Sequence, residues 1–338
     1  MQVWQIDDRF GLERLKRVER DTPHPGFGQV VVKIHACSLN YRDYLTVTGA
    51  YNPRYRLPLI PVSDGAGEVV AVGEGVTDLA IGSRVMGTFS QAWQGGEPSR
   101  ERLRSATLGG PLDGVLSEYA CLSAQGVVPM PEHLSYTQAA TLPCAALTAW
   151  NALNKYRPLR AGDTLLIQGT GGVALFALQF AKLAGATVII TSSSDAKLEQ
   201  AQRLGADHTI NYRNQPEWHK IARQLTDRRG VDHIIEVGGA ATFAQSLTAL
   251  RVGGFVAIIG ILSGAAATVT LTPILMGSLT VQGITVGSRD DFHTMNRAIS
   301  AQQLTPVIDR VFEFDQAPAA FAHLAAGRHF GKIVIAVQ

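Results

Sequence analysis

Leu165-Leu-Ile-Gln-Gly169-Thr170-Gly171-Gly172-Val173-Ala174 lies near the middle of a 338-residue chain and carries one apolar run through three glycines into another. Gly169, Gly171 and Ala174 fit G-x-G-x-x-G/A, with a strand-like run before them and a helix-like run after. Each small residue has a physical task. The first glycine permits a tight turn, and the second lets backbone N–H groups approach a pyrophosphate. The third small residue lets helix and strand pack closely, while the helix N-terminus adds its positive dipole. A lone string of this kind is weak, so its surroundings must support it.

They do. Downstream, strand and helix signals alternate: strands at Thr164–Gln168, Thr187–Thr191, His208–Asn211, His233–Val237 and Phe255–Ile259, with helices at Gly172–Leu183, Asp195–Leu204, Pro216–Thr226 and Ala241–Leu250. Helical crossovers force parallel pairing, hence an α/β doubly wound Rossmann sheet. Upstream, Ser135-Tyr-Thr-Gln138 reads as a capping box opening a helix that Pro143 interrupts. Residues 1 to 128 read differently, as short β-branched runs such as Gln29–Ile34 and Gly67–Val72 between glycines, which predicts a mostly antiparallel β domain. The stretch 91–114, with its Arg100, Arg102 and Arg104, reads as a solvated surface excursion. The expected division is 1–128, 129–285 and a return to the first domain over 286–338, closing on the strand Gly331–Val337.

The end of the second strand bears on which dinucleotide is bound. An NAD(H) site wants Asp or Glu there, about 20 residues after the glycine turn, to hold the ribose 2′-hydroxyl. Here the strand runs into Ser192-Ser193-Ser194-Asp195, with Lys197 beyond. Hydroxyls and a cation suit a 2′-phosphate, which a carboxylate would repel, so NADP(H) is favoured over NAD(H). Asp195 suits an N-cap or a first-turn acid of the next helix. Tyr212 and Arg213, just after the third strand, either flank the same phosphate or are ordinary loop residues.

Composition narrows the classes. With 46% hydrophobic and 17% charged residues the chain is globular rather than disordered, and its length suggests about two domains. A net charge of +2 gives no support to nucleic-acid binding. The start MQVWQIDDRF lacks a signal-peptide core, and Lys182 cuts the longest apolar run below membrane-spanning length. The expectation is a cytoplasmic protein with no membrane partner. Cys37, Cys121 and Cys144 form no CxxC pair, which removes a disulfide framework and a zinc site of the usual clustered spacing.

The β-rich front, the GTGGV turn and the closing GKIVI strand together resemble the medium-chain dehydrogenase/reductase superfamily over essentially the whole chain. Leu39-Asn40-Tyr-Arg-Asp43, Pro61–Glu68, Gly73-Glu-Gly75 and Gly82–Val85 resemble its GroES-like domain, and the Asn40…Asp43 pair resembles the zinc-free, quinone oxidoreductase (zeta-crystallin-like) branch. By that resemblance the Cys, His and Cys ligands of the zinc alcohol dehydrogenases correspond to Asn40, Ser63 and Cys144, with Asp64 after the serine. An amide, a hydroxyl and one thiol are a poor set for catalytic zinc, and no cysteine lies within 87–117, so no metal site is expected. Cys144 then reads most simply as a small buried residue.

The resemblance implies an NADPH-dependent oxidoreductase passing hydride to a quinone, enone or related carbonyl. The alternatives are an alcohol dehydrogenase or an enoyl-thioester reductase, with the 100–104 arginines as the sole candidate entrance for a thioester carrier, and more distantly a non-enzymatic NADPH-binding protein. It implies Asn40, Asp43 and Tyr51 beside the nicotinamide, with Asn40 either a donor or a loop pin and Asp43 the more structural of the two. Arg42 has no assigned role. It also implies cofactor contacts at Thr148, Gly238, Ile261 and Lys332, the last on the pyrophosphate, where the alternative is a solvated edge-strand lysine. The strand-like Leu279–Val286 falls where family members pair sheets, which implies a homodimer.

Overall fold

The computed structural model describes residues 1–337, apart from the side chain of Arg104. The chain divides into two compact units, one of residues 1–147 with 286–338 and one of residues 148–285. The first crossing falls at Leu147/Thr148 rather than at 128/129. The segment between those points belongs with the first unit because Tyr136–Ala139 packs on the strands Gln29–Leu39, Asp64–Val72 and Lys332–Ala336, and Leu142–Ala146 on Asp64–Val72. Tyr136–Ala139 forms a turn of helix behind the Ser135–Gln138 capping box, Leu142–Ala146 is a π-turn, and regular helix resumes only at Leu147–Asn154. A proline lacks the N–H that an α-helical ladder needs, and the wider turn is the local solution.

The second unit is a six-stranded, all-parallel sheet. In spatial order its strands are His208–Asn211, Thr187–Ser192, Thr164–Gln168, Val231–Glu236, Leu250–Ile258 and Thr280–Gly283. In chain order this is 3-2-1-4-5-6, the doubly wound arrangement whose direction of growth reverses between strands 1 and 4, that is, between Gln168 and Glu236 at their C-terminal ends. The strands are fully apolar where both faces are covered: Leu165, Leu166, Ile167, Val188, Ile189, Ile190 and Val256 are all buried.

The first unit is built on a seven-stranded, mostly antiparallel sheet centred on the long strand Gln29–Leu39, which pairs with Asp64–Val72, Tyr119–Ser123 and Lys332–Ala336. The closing strand Lys332–Ala336 is interior, since Ile308–Glu313 pairs with its other side. Its apolar side chains join those of the amino-terminal strands in one core, with Val3, Ile6, Val32, Leu116, Phe321 and Ile333 at its centre. The 91–114 segment is only partly the excursion expected. Trp93 and Leu108 are buried, and Gly114 N–H donates to Ile60 O (2.7 Å), so both ends of the segment are tied into the domain. Among the described residues no helix is long and apolar enough to cross a membrane.

Candidate active site and cofactor site

In the first unit, the strand ending at Leu39 turns at Asn40 into the helix Tyr41–Val47. Asp43 caps that helix by accepting the Asn40 backbone N–H at Oδ2 (2.8 Å). Its other oxygen takes the Arg42 guanidinium at 3.2 Å. Burial pushes the Asp43 carboxyl up to about 6, against the pull of Arg42. Arg42 in turn donates to the carbonyls of Leu108 and Gly109 (3.1 and 3.4 Å) and lies 5.1 Å from the Tyr51 ring centre and 4.8 Å from that of Phe89. The arginine that the sequence left without a role therefore clamps the end of the 91–114 segment to the Asn40 turn. Tyr51 stays about half exposed above it.

Across the turn lies a second buried pair of charges. Lys332 Nζ donates to Leu39 O at 2.6 Å and to the Asn40 side-chain oxygen at 2.7 Å. Its side chain is buried, which lowers its pKa, while Asp64 above all holds the positive form in place. The Asp64 carboxyl is itself raised by burial and lowered by Lys332. It accepts the Ser63 hydroxyl at 2.7 Å and the Cys144 backbone N–H at 3.1 Å, a donor freed by the π-turn at Pro143. Asn40 Nδ2 stands beside Asp64 without completing a well-formed hydrogen bond. Val62, a β-branched residue at φ 75°, leads into Ser63 and Asp64; strain of this kind persists only where the surroundings impose it.

This geometry corrects two expectations. Lys332 is neither a solvated edge lysine nor turned to an outside phosphate, because it sits on an interior strand and two of its three donors are taken within the first unit. Cys144 is half-buried rather than buried, and burial of the thiol beside Asp64 pushes its pKa well up. The Arg102 guanidinium donates to Glu97 O (2.6 Å) within its own loop, and the Arg104 side chain lies outside the described residues.

In the second unit the glycine turn has the conformation its sequence requires. Gly169 lies at φ 77°, and an added Cβ there would meet nothing within 4 Å, so the space above the turn is open. Gly169 N–H is held by Thr191 O (2.8 Å), Gly171 is the extended N-cap, and the twelve-residue helix Gly172–Leu183 begins with no side chain capping its N–H groups. Thr170 is buried, and Val173 lies in the first turn of that helix. These features fit a dinucleotide pyrophosphate. Thr148, buried, begins the second unit.

At the neighbouring strand ends, Ser192 pairs in register with Asn211, and Tyr212 N–H donates to Ser192 O (3.1 Å). Ser192, Ser193, Lys197 and Tyr212 are thus brought to one end of adjacent strands. Asp195 is the first residue of its helix, with Ser194 at the N-cap, and its carboxylate is engaged by Asn211 Nδ2 (2.6 Å).

Sequence reasoning missed the polar knot at the central strand ends. Glu236 is wholly buried. Its Oε1 accepts from Gly238 N (2.8 Å), Gly239 N (2.9 Å) and Thr242 Oγ1 (2.6 Å). Its Oε2 accepts from Gln168 Nε2 (2.7 Å) and from the Ser246 hydroxyl. The Gln168 oxygen takes the N–H groups of Val237 and Gly238 (3.2 and 3.1 Å). Gly239, at φ 86°, packs so closely that an added Cβ would lie 2.8 Å from Ile261 Cα, while the Ile261 side chain is exposed. An acid closing a strand directly after Ile234 and Ile235 was the available signal.

A fold of this kind with an open glycine turn defines a nucleotide-dependent oxidoreductase scaffold, and comparison with known proteins agrees. Residues 172–301 match the zinc-binding dehydrogenase model and residues 26–132 the alcohol dehydrogenase GroES-like domain model. A zinc-type alcohol dehydrogenase-like protein of Schizosaccharomyces pombe is 42% identical, with 98% of each chain covered. A quinone oxidoreductase-like protein 2 homolog of Nematostella vectensis is 27% identical over 98% of this chain and 85% of its own. Among solved structures, an NAD-dependent alcohol dehydrogenase superposes with TM-score 0.91 at 32% identity, and a mycobacterial quinone oxidoreductase with TM-score 0.83 at 26%, each covering 100% of both chains. The chain belongs to the medium-chain dehydrogenase/reductase superfamily and is an oxidoreductase, in a family whose members bind NAD(P)(H).

The zinc in the name of the matching family model calls for a test against these residues, and they do not fit it. The Asn40 oxygen is taken by an ammonium, the Ser63 hydroxyl donates to Asp64, and Cys144 is left as the one thiol of the three positions. Among the described residues no three His, Cys, Asp or Glu side chains converge as a ligand group.

Proposed function

We propose that the protein is an NADPH-dependent reductase of quinones, enones or related conjugated carbonyls that works without zinc. The observation that carries this reading is the Lys332 ammonium bonded to Asn40 and flanked by Asp64, which puts a fixed internal cation among the residues that correspond to zinc ligands. NADPH, when bound, supplies the hydride; the chain supplies placement and charge. A conjugated acceptor spreads developing negative charge, so hydrogen bonds and a nearby fixed cation suffice where a simple ketone would need a Lewis acid.

In this reading Gly169, Thr170, Gly171, Gly172 and Val173 cradle the pyrophosphate, while Ser192, Ser193, Lys197 and Tyr212 receive the 2′-phosphate. Thr148, Gly238 and Ile261 border the nicotinamide. Asn40 and Tyr51 face the acceptor. Asp43 and Lys332 position the Asn40 turn, the one through its backbone N–H and the other through its side-chain oxygen. The edge strand Thr280–Gly283, beside the exposed Leu271, Leu275 and Met276, supports a homodimer built on that edge.

The experiment is a panel of acceptors (a small quinone, an enone, a simple ketone, an enoyl-thioester) with NADPH and chelator, followed at the NADPH absorbance. Turnover confined to the quinone and enone supports the reading, and turnover of the ketone with stoichiometric zinc rejects it.

A further inference from the structure

Glu236 is a buried acid with five donors and, among the described residues, no cation in hydrogen-bonding or ion-pairing contact. Three of those donors, the two backbone N–H groups and the Gln168 amide, can only donate, and that is the surround of a carboxylate. Most buried acids are matched by a base. Asp232, at the other end of the same sheet, has Arg157, Arg229 and Arg251 against it. Glu236 is matched only by dipoles.

Its position gives the charge a use. The sheet is made of two mononucleotide-binding halves, strands 1-2-3 and 4-5-6, and ligand lies outside their C-terminal ends. Gln168 closes strand 1 and Glu236 closes strand 4, so the pair flanks the switch point, with Glu236 on the first strand of the half opposite the glycine turn. Glycine-turn chemistry assigns the adenine and pyrophosphate side to strands 1-2-3, which leaves the nicotinamide for the Glu236 half. A nicotinamide ring is cationic in the oxidised dinucleotide and neutral in the reduced one. A fixed carboxylate in a poorly screened setting therefore acts on the two forms differently.

We propose that Glu236 is a positioning and electrostatic residue of the cofactor site, holding the Val237–Gly239 turn and selectively stabilising the oxidised form of the bound nicotinamide dinucleotide. The proposal rests on the dinucleotide reading above. It accounts for a charge kept without a partner base, where a glutamine could hold the same turn through its own oxygen.

The test is binding rather than turnover, using NADPH and NADP⁺ on the full-length chain. Dissociation constants are measured by NADPH fluorescence and by NADP⁺ competition in wild type, Glu236→Gln and Ser246→Ala. Glu236→Gln should raise the ratio Kd(NADP⁺)/Kd(NADPH) about tenfold, the effect of roughly 1.4 kcal/mol, with NADPH itself bound within about twofold of wild type. Ser246→Ala loosens the knot but keeps the charge, so its ratio should stay at the wild-type value. Thr242→Lys keeps Glu236 and sets an ammonium against it from a half-exposed position, and it should raise the ratio even if Glu236→Gln does not fold. Affinities for both forms that shift together in Glu236→Gln, or a ratio unmoved in both charge variants, would overturn the proposal. Wild-type protein that binds neither form would instead overturn the functional reading beneath it.

Discussion

Lys332 Nζ stands 2.7 Å from the side-chain oxygen of Asn40, joining the first residue of the closing strand to the turn that ends the central strand of the same sheet. An ammonium can only donate, so this contact fixes which end of the Asn40 amide is oxygen and sends Nδ2 toward Asp64. Residues 292 positions apart in sequence are thereby made into one buried unit with Asp64 and Ser63.

Removing that cation strands the buried Asp64 carboxyl, whereas Asp43 keeps Arg42. Lys332→Met should destabilise the protein by about 3–5 kcal/mol, the usual effect of breaking a buried ion pair from one side. Lys332→Met combined with Asp64→Asn should recover most of that loss, because the second change removes the charge left unpaired. Thermal or denaturant unfolding of the two variants checks this. If the lysine instead serves a pyrophosphate, the single variant will keep its stability and lose affinity for NADPH.

Reversing charge at Lys197 tests the assignment of the 2′-phosphate. Lys197→Glu should weaken NADPH binding by at least about tenfold, the worth of roughly 1.4 kcal/mol, and leave NADH within about twofold. Equal losses for both nucleotides would place the lysine elsewhere.

His233 supplies a pH prediction. It is buried in the strand Val231–Glu236 against Phe255, neither ring nitrogen has a hydrogen-bond partner, and burial lowers its pKa from 6.5 to about 3. Between those values the unfolded chain binds a proton that the folded chain does not, so stability falls as pH drops from about 6.5 toward 3. The slope is at most about 1.4 kcal/mol per pH unit for one group. His233→Leu should match wild type to within about 1 kcal/mol at pH 8 and exceed it progressively below pH 6, read by urea unfolding across that range. Parallel curves for the two proteins would show that the ring is charged or hydrated in the fold.

The parallel sheet was the most legible part of the sequence. Its strands are short, doubly covered and β-branched, and the glycine turn between Gln168 and Gly172 marks its first crossover, so Thr164–Gln168 and Gly172–Leu183 form as expected. What escaped was everything that depends on side chains meeting across long separations. The interruption expected at Pro143 takes the form of a π-turn, and what the sequence did not show is that Cys144 N–H is thereby given to Asp64, 80 residues away. Arg42 has no role legible in the sequence, and gains one only where Leu108 and Gly109 fold over it. Lys332 follows a glycine in a terminal strand, a setting that favours solvent, and only the pairing of Ile308–Glu313 on its far side buries it. Glu236 gave a faint sign as an acid after two isoleucines at a strand end, but the Gln168 amide that ties it to the neighbouring strand comes from 68 residues upstream.

One titration bears on the whole account. Protein stripped by exhaustive chelation, with zinc measured in the same sample, is loaded with NADPH and then given a small quinone. The account predicts tight nucleotide binding, zinc far below one per chain, and prompt oxidation of the bound NADPH. A preparation that binds no pyridine nucleotide, or that transfers hydride only after one zinc per chain is restored, would contradict it.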